Sequence, residues 1–457
     1  MTRDDSQGLR PRQQEWYAAL TCALLLAACG GAANPNETTT PDDTDADSSS
    51  SATSGKNATA APAGAERGPS APERFALEKL FRAAATVREL PFKKPVPVEV
   101  HDRKAIEGYV QREIQKEGLE KDRLLYVTLG LLPADMDIES MLVGVLGEQI
   151  VGYYDTTRAQ FVVRDDVMRS LESDKRSSFG EADIVIVHEM VHALQDQHLA
   201  LTDHHEDNLD TDASNAYHAV VEGDATLAML GYLAKRMGAN IELFTKNSTV
   251  LDTIMAQASA MPGQEELGQA PAIVRIPLMW SYFSGLKFCA VGYDRSGWRG
   301  VDTLHTHAPA STEQVIHPEK YAANETPVAI ELPALTDLEH SGLVKVKDDT
   351  LGELEISIFF GAPDRDQDTV AAAGWGGDRL RLYRRADGAG AFVWWMRWDT
   401  DADAKEAEAA ARRTLATAKI EGATVLRLGK DLWLTRGLTP AQAKASETEF
   451  RRRSRSR

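Results

Sequence analysis

The chain has 457 residues, of which 43% are apolar and 26% are charged, which is the composition of an ordinary globular protein. Its formal net charge of −18 argues against nucleic acid as a partner, because binding to phosphate groups requires a basic face. Only one of its three cysteines, Cys289, lies in a segment with the pattern of a folded core, which excludes a disulfide framework. We expect Cys289 to be buried, since its neighbours are apolar.

The N-terminus has the pattern of a secretion signal. Residues 18–28 form an apolar stretch that is too short to span a bilayer as a helix but has the length of the apolar region of a signal peptide. The stretch ends at residues 26–29 in Leu-Ala-Ala-Cys, which resembles a bacterial lipobox with Cys29 as the lipidated residue. Residues 1–29 are therefore predicted to be a signal peptide. An uncleaved anchor and a buried helix are the alternatives.

Residues 30–74 are rich in Ser, Thr, Ala, Pro, Asp and Gly and contain almost no large apolar side chain. Such a segment cannot offset its own chain entropy, so we predict a disordered linker. The signal, the lipidated cysteine and the linker together predict a protein of the bacterial cell envelope. It would be held at the membrane by a lipid anchor and would lie outside the cytoplasm, facing the periplasm or the outer membrane.

Helical and strand patterns alternate after this linker. In chain order they predict a helix that starts near Pro72, a strand over 95–100 and a helix over 103–118. Two strands within 148–166, joined by a turn at 155–158, are followed by a helix over 181–199 and a second helix over 213–237. Mostly helical sequence continues to about Tyr321. The helix over 181–199 begins with an almost wholly apolar run, so we expect it to be central and buried.

The pattern changes near Leu343. Residues 353–361, 379–385, 391–398 and 425–437 have the composition of strands, and residues 401–419 that of a helix. Tryptophans in this part are expected in the core, and a ligand groove lined by them is the alternative. The fold class is therefore α+β, with a mostly helical domain and small N-terminal sheet at 75–335 and a small α+β domain at 343–445. Residues 446–457 are predicted to be a solvated, disordered basic tail.

Residues 188–198 hold three histidines and a glutamate that suit a metal site. His188 and His192 are four residues apart, so both imidazoles project from one helix face and can reach one ion. Glu189 lies beside the first histidine, where it can hold a metal-bound water. Ionisable groups in an apolar helix are costly to bury, and a metal would compensate them. The alternative is a helix with partly exposed histidines.

The sequence offers two candidates for a third ligand. His198 follows His192 by six residues, which places it about 240° around a continuous helix, pointing away from the pair. A return to the metal would need a helix break, and Gln195 stands where a glycine would permit one. Glu222, in an apolar setting on the next predicted helix, would complete a His-His-Glu set, a standard open catalytic zinc site.

The 188–198 stretch and the Val-Glu-Gly-Asp-Ala-Thr segment at 221–226 resemble those of bacterial gluzincin-type zinc metallopeptidases, over roughly residues 148–321. The resemblance implies a zincin-like fold, Zn²⁺ as the cofactor, His188, His192 and Glu222 as its ligands, and Glu189 as the catalytic base. Several gluzincins carry an aspartate four residues after the ligand glutamate, where this chain has Thr226. Asp196 and His218 are therefore candidates for supporting the ligands, and a structural role is equally open to both.

Two further features bear on catalysis. His317 and Tyr321 lie in a segment that could return to the cleft, and zinc peptidases often use a His or Tyr to stabilise the oxyanion. The predicted hairpin at 148–166 precedes the metal helix, where zincins bind peptide along an edge strand, although a plain hairpin is compatible with the same pattern.

These features predict an envelope-tethered zinc metallopeptidase that hydrolyses peptide bonds of a protein or peptide substrate. Two alternatives remain open. One is an envelope-tethered binding or scaffold protein whose zinc site is vestigial or structural, although a structural site has no need of Glu189. The other is a zinc amidase that acts on cell-wall material.

Overall fold

The computed structural model describes residues 66–172, 181–199, 201, 209–259 and 265–454. This part of the chain has the predicted α+β class, with many helices and two small sheets. The elements up to the metal-site helices are β1 (Glu66–Arg67), α1 (Ala71–Arg88), β2 (Val98–His101), α2 (Arg103–Glu117), α3 (Glu120–Leu129), α4 (Ile138–Gln149), β3 (Gly152–Asp155), β4 (Gln160–Arg164), α5 (Asp165–Glu172), α6 (Glu181–Leu199) and α7 (Thr211–Arg236).

The remaining elements are α8 (Glu242–Thr245), α9 (Ser248–Ser259), α10 (Glu265–Gln269), α11 (Ala272–Ser296), α12 (Trp298–Thr306), α13 (Thr312–Ile316), α14 (Pro318–Ala322), α15 (Thr336–His340), β5 (Val344–Asp349), α16 (Gly352–Gly361), α17 (Thr369–Ala372), β6 (Trp375–Arg384), β7 (Gly390–Trp398), α18 (Asp401–Thr417), β8 (Thr424–Leu428), β9 (Asp431–Arg436) and α19 (Pro440–Ser454). No helix of the described ranges is both long and apolar enough to cross a membrane.

The first sheet has the strand order β1-β2-β4-β3. β2 and β4 run parallel, with Val98 opposite Phe161, and the hairpin of β3 and β4 is antiparallel, with Tyr153 opposite Val162. The two strands predicted within 148–166 are therefore confirmed. β3 ends the sheet and contacts α6, which brings a strand beside the central helix.

The structured part begins earlier than the sequence predicts. Residues 66–74 were assigned to the disordered linker, but they form β1 and the first turn of α1. Ser70 and Glu73 make a reciprocal capping box at the start of α1, and Arg67 forms an ion pair with Glu73 at 2.7 Å. These local bonds stabilise a segment that contains few apolar side chains. The rest of the predicted linker and the predicted signal peptide, including Cys29, lie outside the described residues.

Helices α6, α7 and α11 form the centre of the first part. α7 is buried on all sides over most of its length, because α6 and α11 pack against it. Glycines allow α7 and α11 to approach closely, since a Cβ at Gly223 would lie 2.2 Å from backbone atoms of Gly285. Cys289 is fully buried in this core, as predicted.

The second sheet is antiparallel, with the strand order β5-β6-β7-β9-β8. Its tryptophans are core residues as expected and line no ligand groove: Trp375, Trp394, Trp395, Trp398 and Trp433 are all at most 1% exposed. α18 packs against this sheet as predicted. The strand predicted over 353–361 is wrong, because this segment belongs to the helix α16. A short apolar run is compatible with a buried strand or a buried helix, and burial of α16 on every side removes the polar face that distinguishes them.

The predicted disordered tail is also wrong for residues 446–454, which belong to α19. Phe450 is fully buried, and its ring lies 5.1 Å from the rings of Trp395 and Trp433. The arginines that follow pair with Glu447 and Glu449 on the same helix. One aromatic anchor thus docks a helix whose composition otherwise resembles that of a solvated terminus. Residues 455–457 lie outside the described part.

The two sheets belong to parts of the chain that share apolar contacts. Leu125 and Leu129 of α3 pack with residues of the second sheet, and Ile273 of α11 packs with Leu354 and Ile358 of α16. α16 therefore lies between the second sheet and the helices that surround the candidate site.

Candidate metal centre

The antiparallel packing of α6 and α7 brings three potential ligands together. Glu222 Oε2 lies 3.2 Å from His188 Nε2 and 3.6 Å from His192 Nε2, and the two imidazole nitrogens are 3.1 Å apart. None of the three side chains is more than 4% exposed. The structure thus places the carboxylate selected from the sequence against the histidine pair.

The geometry and chemistry of these residues fit a zinc ion. Four ligands at the usual zinc distances of about 2.0–2.2 Å are separated from one another by about 3.3–3.6 Å in a tetrahedral site. The three separations between His188, His192 and Glu222 lie close to that range. Two imidazole nitrogens and one carboxylate oxygen are also the donor set of open catalytic zinc sites, which leave a fourth position for water or substrate.

The electrostatics of the cluster favour a cation. Burial alone would lower the pKa of His192, but the facing Glu222 carboxylate, together with Glu189 and Gln195, outweighs burial and raises that pKa to about 9. Burial alone would raise the pKa of Glu222, but the charge of His192 and hydrogen bonds from both histidines hold it well below its usual value. The carboxylate is thus stabilised as an anion only with a positive charge beside it, a place that a divalent cation can take.

Glu189 lies next to this cluster and is fully buried. Its Oε2 accepts a hydrogen bond of 3.1 Å from the backbone N–H of Tyr154 in β3. The edge strand therefore orients the carboxylate that the sequence assigns as the base. All four residues of β3 are buried, so the predicted binding of peptide along this strand would require its covering residues to move.

A hydrogen-bonded chain supports His192 from the side away from Glu222. Gln195 Nε2 donates to the backbone oxygen of Val221 and to Asp224 Oδ2, each at 2.9 Å, so its Oε1 is the atom that faces His192 Nδ1, also at 2.9 Å. His192 therefore carries a proton on Nδ1, and Nε2, which faces Glu222, is the nitrogen that would bind a metal. A cation at that place would displace the second proton of the imidazolium and leave a neutral ligand.

Asp224 anchors the far end of that chain. It pairs with Arg88 of α1 at 2.6 Å and with His305 of α12 at 3.0 Å, and both side chains are fully buried with it. Burial would raise the pKa of Asp224, but Arg88 and His305 hold it below its usual value. Asp224 is two residues after Glu222 and about 200° around α7, so helical spacing alone does not place it on the face of the ligand. Gln195 bridges that separation, and its position three residues after His192 was the available signal.

His188 has different support. Its ring stacks on Tyr282 of α11, with centroids 5.9 Å apart, and its Nδ1 has no hydrogen-bond partner within the described part of the chain. Burial lowers the pKa of His188, which favours the neutral imidazole that a metal requires.

The other predicted residues lie around this centre. His198 contacts the carbonyl oxygen of Pro91 at 2.6 Å, in keeping with the expectation that it points away from the histidine pair. Asp196 accepts a hydrogen bond of 2.8 Å from the hydroxyl of Tyr154, the residue of β3 whose backbone N–H also donates to Glu189. His218 Nε2 lies 3.8 Å from Glu222 Oε1, one turn away on α7, and burial lowers its pKa to about 4.

His317 and Tyr321 are engaged elsewhere. His317 Nε2 lies 3.1 Å from Glu353 Oε1, and the Tyr321 hydroxyl donates to the backbone oxygen of His307 at 2.7 Å. The structure does not bring either side chain into the cluster of ligand atoms. Their assignment to the oxyanion stays a prediction that would require a different arrangement of α13 and α14.

The described residues contain two other groups of potential ligands, and both groups are more exposed. Glu66, Glu99 and His101 lie at the edge of the first sheet. Glu313, Glu325 and Asp399 already share a cation, because Lys320 contacts a carboxylate oxygen of each within 2.9 Å. Of the three groups, only the one formed by His188, His192 and Glu222 is fully buried.

Comparison with known proteins identifies a relationship for the C-terminal part alone. Residues 341–449 match a family described as a domain of unknown function (DUF8575). No curated protein and no solved structure matches the chain. The matched segment includes the second sheet and α16, and it does not include the candidate metal centre.

Proposed function

We propose that this protein is a zinc-dependent metallopeptidase of the zincin-like class. The observation that carries the proposal is the convergence of His188, His192 and Glu222 at separations suited to one ion, with Glu189 beside them. The ligands would be these three side chains, which leaves one position for water or substrate.

Each group has a defined task in the proposed reaction. Bound zinc would supply a Lewis acid and lower the pKa of a coordinated water. Glu189 accepts a proton from the attacking water and returns it to the leaving amine, and the N–H of Tyr154 keeps its carboxylate in place. Gln195 keeps the proton of His192 on Nδ1, so that Nε2 stays available as a donor atom.

The buried position of Glu189 argues for catalysis over a purely structural metal site. A structural site is closed by four ligands and has no use for an additional buried carboxylate. Burying a carboxylate is costly unless it is compensated, and here the compensation comes from the Tyr154 N–H and from the nearby His192.

We further propose that the enzyme acts at the bacterial cell envelope, where a lipid on Cys29 would tether it. The support is the lipobox-like sequence at 26–29 and the polar segment that follows. Replacement Cys29→Ser should move the protein from the membrane fraction to the soluble fraction. Unchanged membrane association of that variant would contradict the anchor.

Metal content and hydrolysis test the enzyme assignment together. The purified full-length chain should contain about one zinc, and Glu222→Ala should lose it, whereas Glu113→Ala, a change at a buried carboxylate on α2, should not. Glu189→Gln should retain zinc but lower the rate of hydrolysis of a peptide library by about 10²–10⁴-fold. Unchanged zinc in Glu222→Ala, or full activity in Glu189→Gln, would refute the proposal.

A further inference from the structure

A cavity of about 140 Å³ lies about two helical turns from the metal centre, and residues of α7 and α11 line part of it. Apolar side chains of α2, α4 and α11 form most of its wall, among them Ile114, Leu142 and Leu278. Its polar residues come from α3, from the first turns of α7 and from α16. The volume is close to that of an apolar cavity that accommodates benzene, about 150 Å³, so it suffices for a side chain with a four-carbon stem.

Two helices lead from this cavity to the metal ligands. Asn215, which lines the cavity, precedes Glu222 by seven residues on α7, so the two lie on nearly the same face about 10 Å apart along the axis. Leu278 lines the cavity one turn before Tyr282, whose ring stacks on His188. The cavity is therefore placed to receive a side chain next to a peptide bond at the metal.

Glu355 provides a buried hydrogen-bond acceptor in the wall of the cavity. It is 3% exposed and lines the cavity, and its Oε1 accepts a hydrogen bond of 2.8 Å from the hydroxyl of Tyr126. Its Oε2 is buried and has no hydrogen-bond partner in the described ranges of the chain. A buried acceptor without a partner costs free energy, so a ligand that brings a donor to Oε2 gains what the empty cavity lacks.

The charges around Glu355 select the kind of donor. Asp122, the other acid that lines the cavity, is already compensated by Lys347 at 2.6 Å. Glu355 makes no such ion pair in the part that the structure describes. A cationic donor would favour the ionised form of the Glu355 carboxyl, which burial alone disfavours, and would form a charge-assisted hydrogen bond with it that is stronger than a bond from a neutral donor. An apolar ligand would fill the walls but leave Oε2 unpaired.

We propose that this cavity binds the side chain of a lysine or arginine in the substrate, with Glu355 as the acceptor for its cationic end. The apolar walls would hold the aliphatic stem, as they do for buried stems of such side chains elsewhere. The inference rests on the proposed function, since it assigns a specificity to the same peptide-binding site. It predicts cleavage next to a basic residue.

Binding measurements test the cavity independently of catalysis. In the full-length Glu189→Gln variant, a peptide with lysine should bind at least about thirtyfold more tightly than the same peptide with norleucine, which lacks only the ammonium group. Adding Glu355→Gln, which keeps the size of the side chain, should abolish this preference. Adding Glu313→Gln, a change at another buried carboxylate, should preserve it.

The outcomes separate the two proposals. A preference for lysine without any cleavage by the wild type would support the cavity and reject the peptidase. Cleavage with equal binding of the two peptides would reject the cavity alone. If Glu355→Gln does not fold, the comparison of lysine and norleucine peptides in the folded Glu189→Gln protein still decides, because equal affinities would overturn the assignment.

Discussion

The Gln195 side chain lies 2.9 Å from His192 Nδ1 and keeps a proton on that nitrogen, so that Nε2 is the atom left for a metal. Gln195 can do so because its own amide group donates to Val221 and Asp224, which leaves only its oxygen to face the ring. Gln195 stands where a glycine would be needed for His198 to become the third ligand. The same residue supports His192 in the site that Glu222 completes.

Loss of this bond should weaken the metal site. Gln195→Leu keeps a similar size but leaves His192 free to change tautomer, so we expect zinc affinity to fall about 10–100-fold. Competition with a chelator of known affinity measures this change. Gln197→Leu on the same helix is the control. It removes only exposed hydrogen bonds with the backbone of Lys93 and Lys94 and should keep the wild-type zinc affinity. Equal zinc affinity of both variants would contradict the role of Gln195.

The buried pair of Arg88 and Asp224 should contribute strongly to stability. Both side chains are fully buried, so Arg88→Met would remove the guanidinium that compensates the Asp224 carboxylate and should lower the free energy of unfolding by about 3–5 kcal/mol. Urea denaturation measures the loss. Arg82→Met on the same helix is the matched control: its partner Glu78 is exposed at 3.6 Å, so the expected change is within about 1 kcal/mol. Similar losses in the two variants would show that Asp224 does not depend on Arg88.

The contact of α7 with α11 should not tolerate an added methyl group. A Cβ at Gly285 would lie 2.0 Å from the backbone oxygen of Ala219, so Gly285→Ala must push the helices apart near Glu222. We expect a loss of about 1–3 kcal/mol or more in unfolding free energy, together with weaker zinc binding. Gly268→Ala meets open space and should be neutral or slightly stabilising. Wild-type stability of Gly285→Ala would contradict the close approach.

The buried carboxyl of Glu355 should make stability depend on pH. Burial and the nearby Asp349 and Asp122 raise its pKa from 4.5 to about 8, against the opposing effects of Tyr126 and Lys347. The folded state thus retains this proton more strongly than the unfolded state, so the stabilisation is complete below pH 4.5 and is lost as pH rises toward 8.

Comparison with Glu355→Gln isolates this effect, because glutamine cannot ionise. The unfolding free energy of the variant should gain on that of the wild type as pH rises through this range, and the difference should level off above pH 8. Urea denaturation at a series of pH values measures it. A difference that is constant from pH 5 to pH 9 would rule out the titration.

Much of the candidate site could be predicted from local sequence patterns. The spacing of His188 and His192 is a property of one helix, so periodicity alone places both rings on one face with Glu189 beside them. The bounds predicted for α6, the hairpin of β3 and β4, and the helix that carries Glu222 agree with the structure for the same reason: each depends on interactions within a few residues.

The wrong predictions concern segments whose structure depends on residues that are distant in the sequence. Residues 353–361 belong to α16, which is enclosed on every side, so no polar face in their sequence distinguishes a helix from a strand. Residues 446–454 are ordered because Phe450 enters the core of the second sheet, against Trp395 and Trp433. Neither environment is encoded in the adjacent sequence, so local propensity favoured the wrong state.

The sequence by itself determined the pair of histidines, their neighbouring carboxylate and the helix on which they lie, because helical spacing is local. Only the tertiary structure decided that Glu222 faces them, that Gln195 joins His192 to Asp224, and that Arg88 compensates that aspartate from α1. The bond between Gln195 and His192 is local, but the other contacts join residues that are separated by 29 to 136 positions in the sequence. Their partners are selected by packing and by the cost of leaving a buried charge uncompensated.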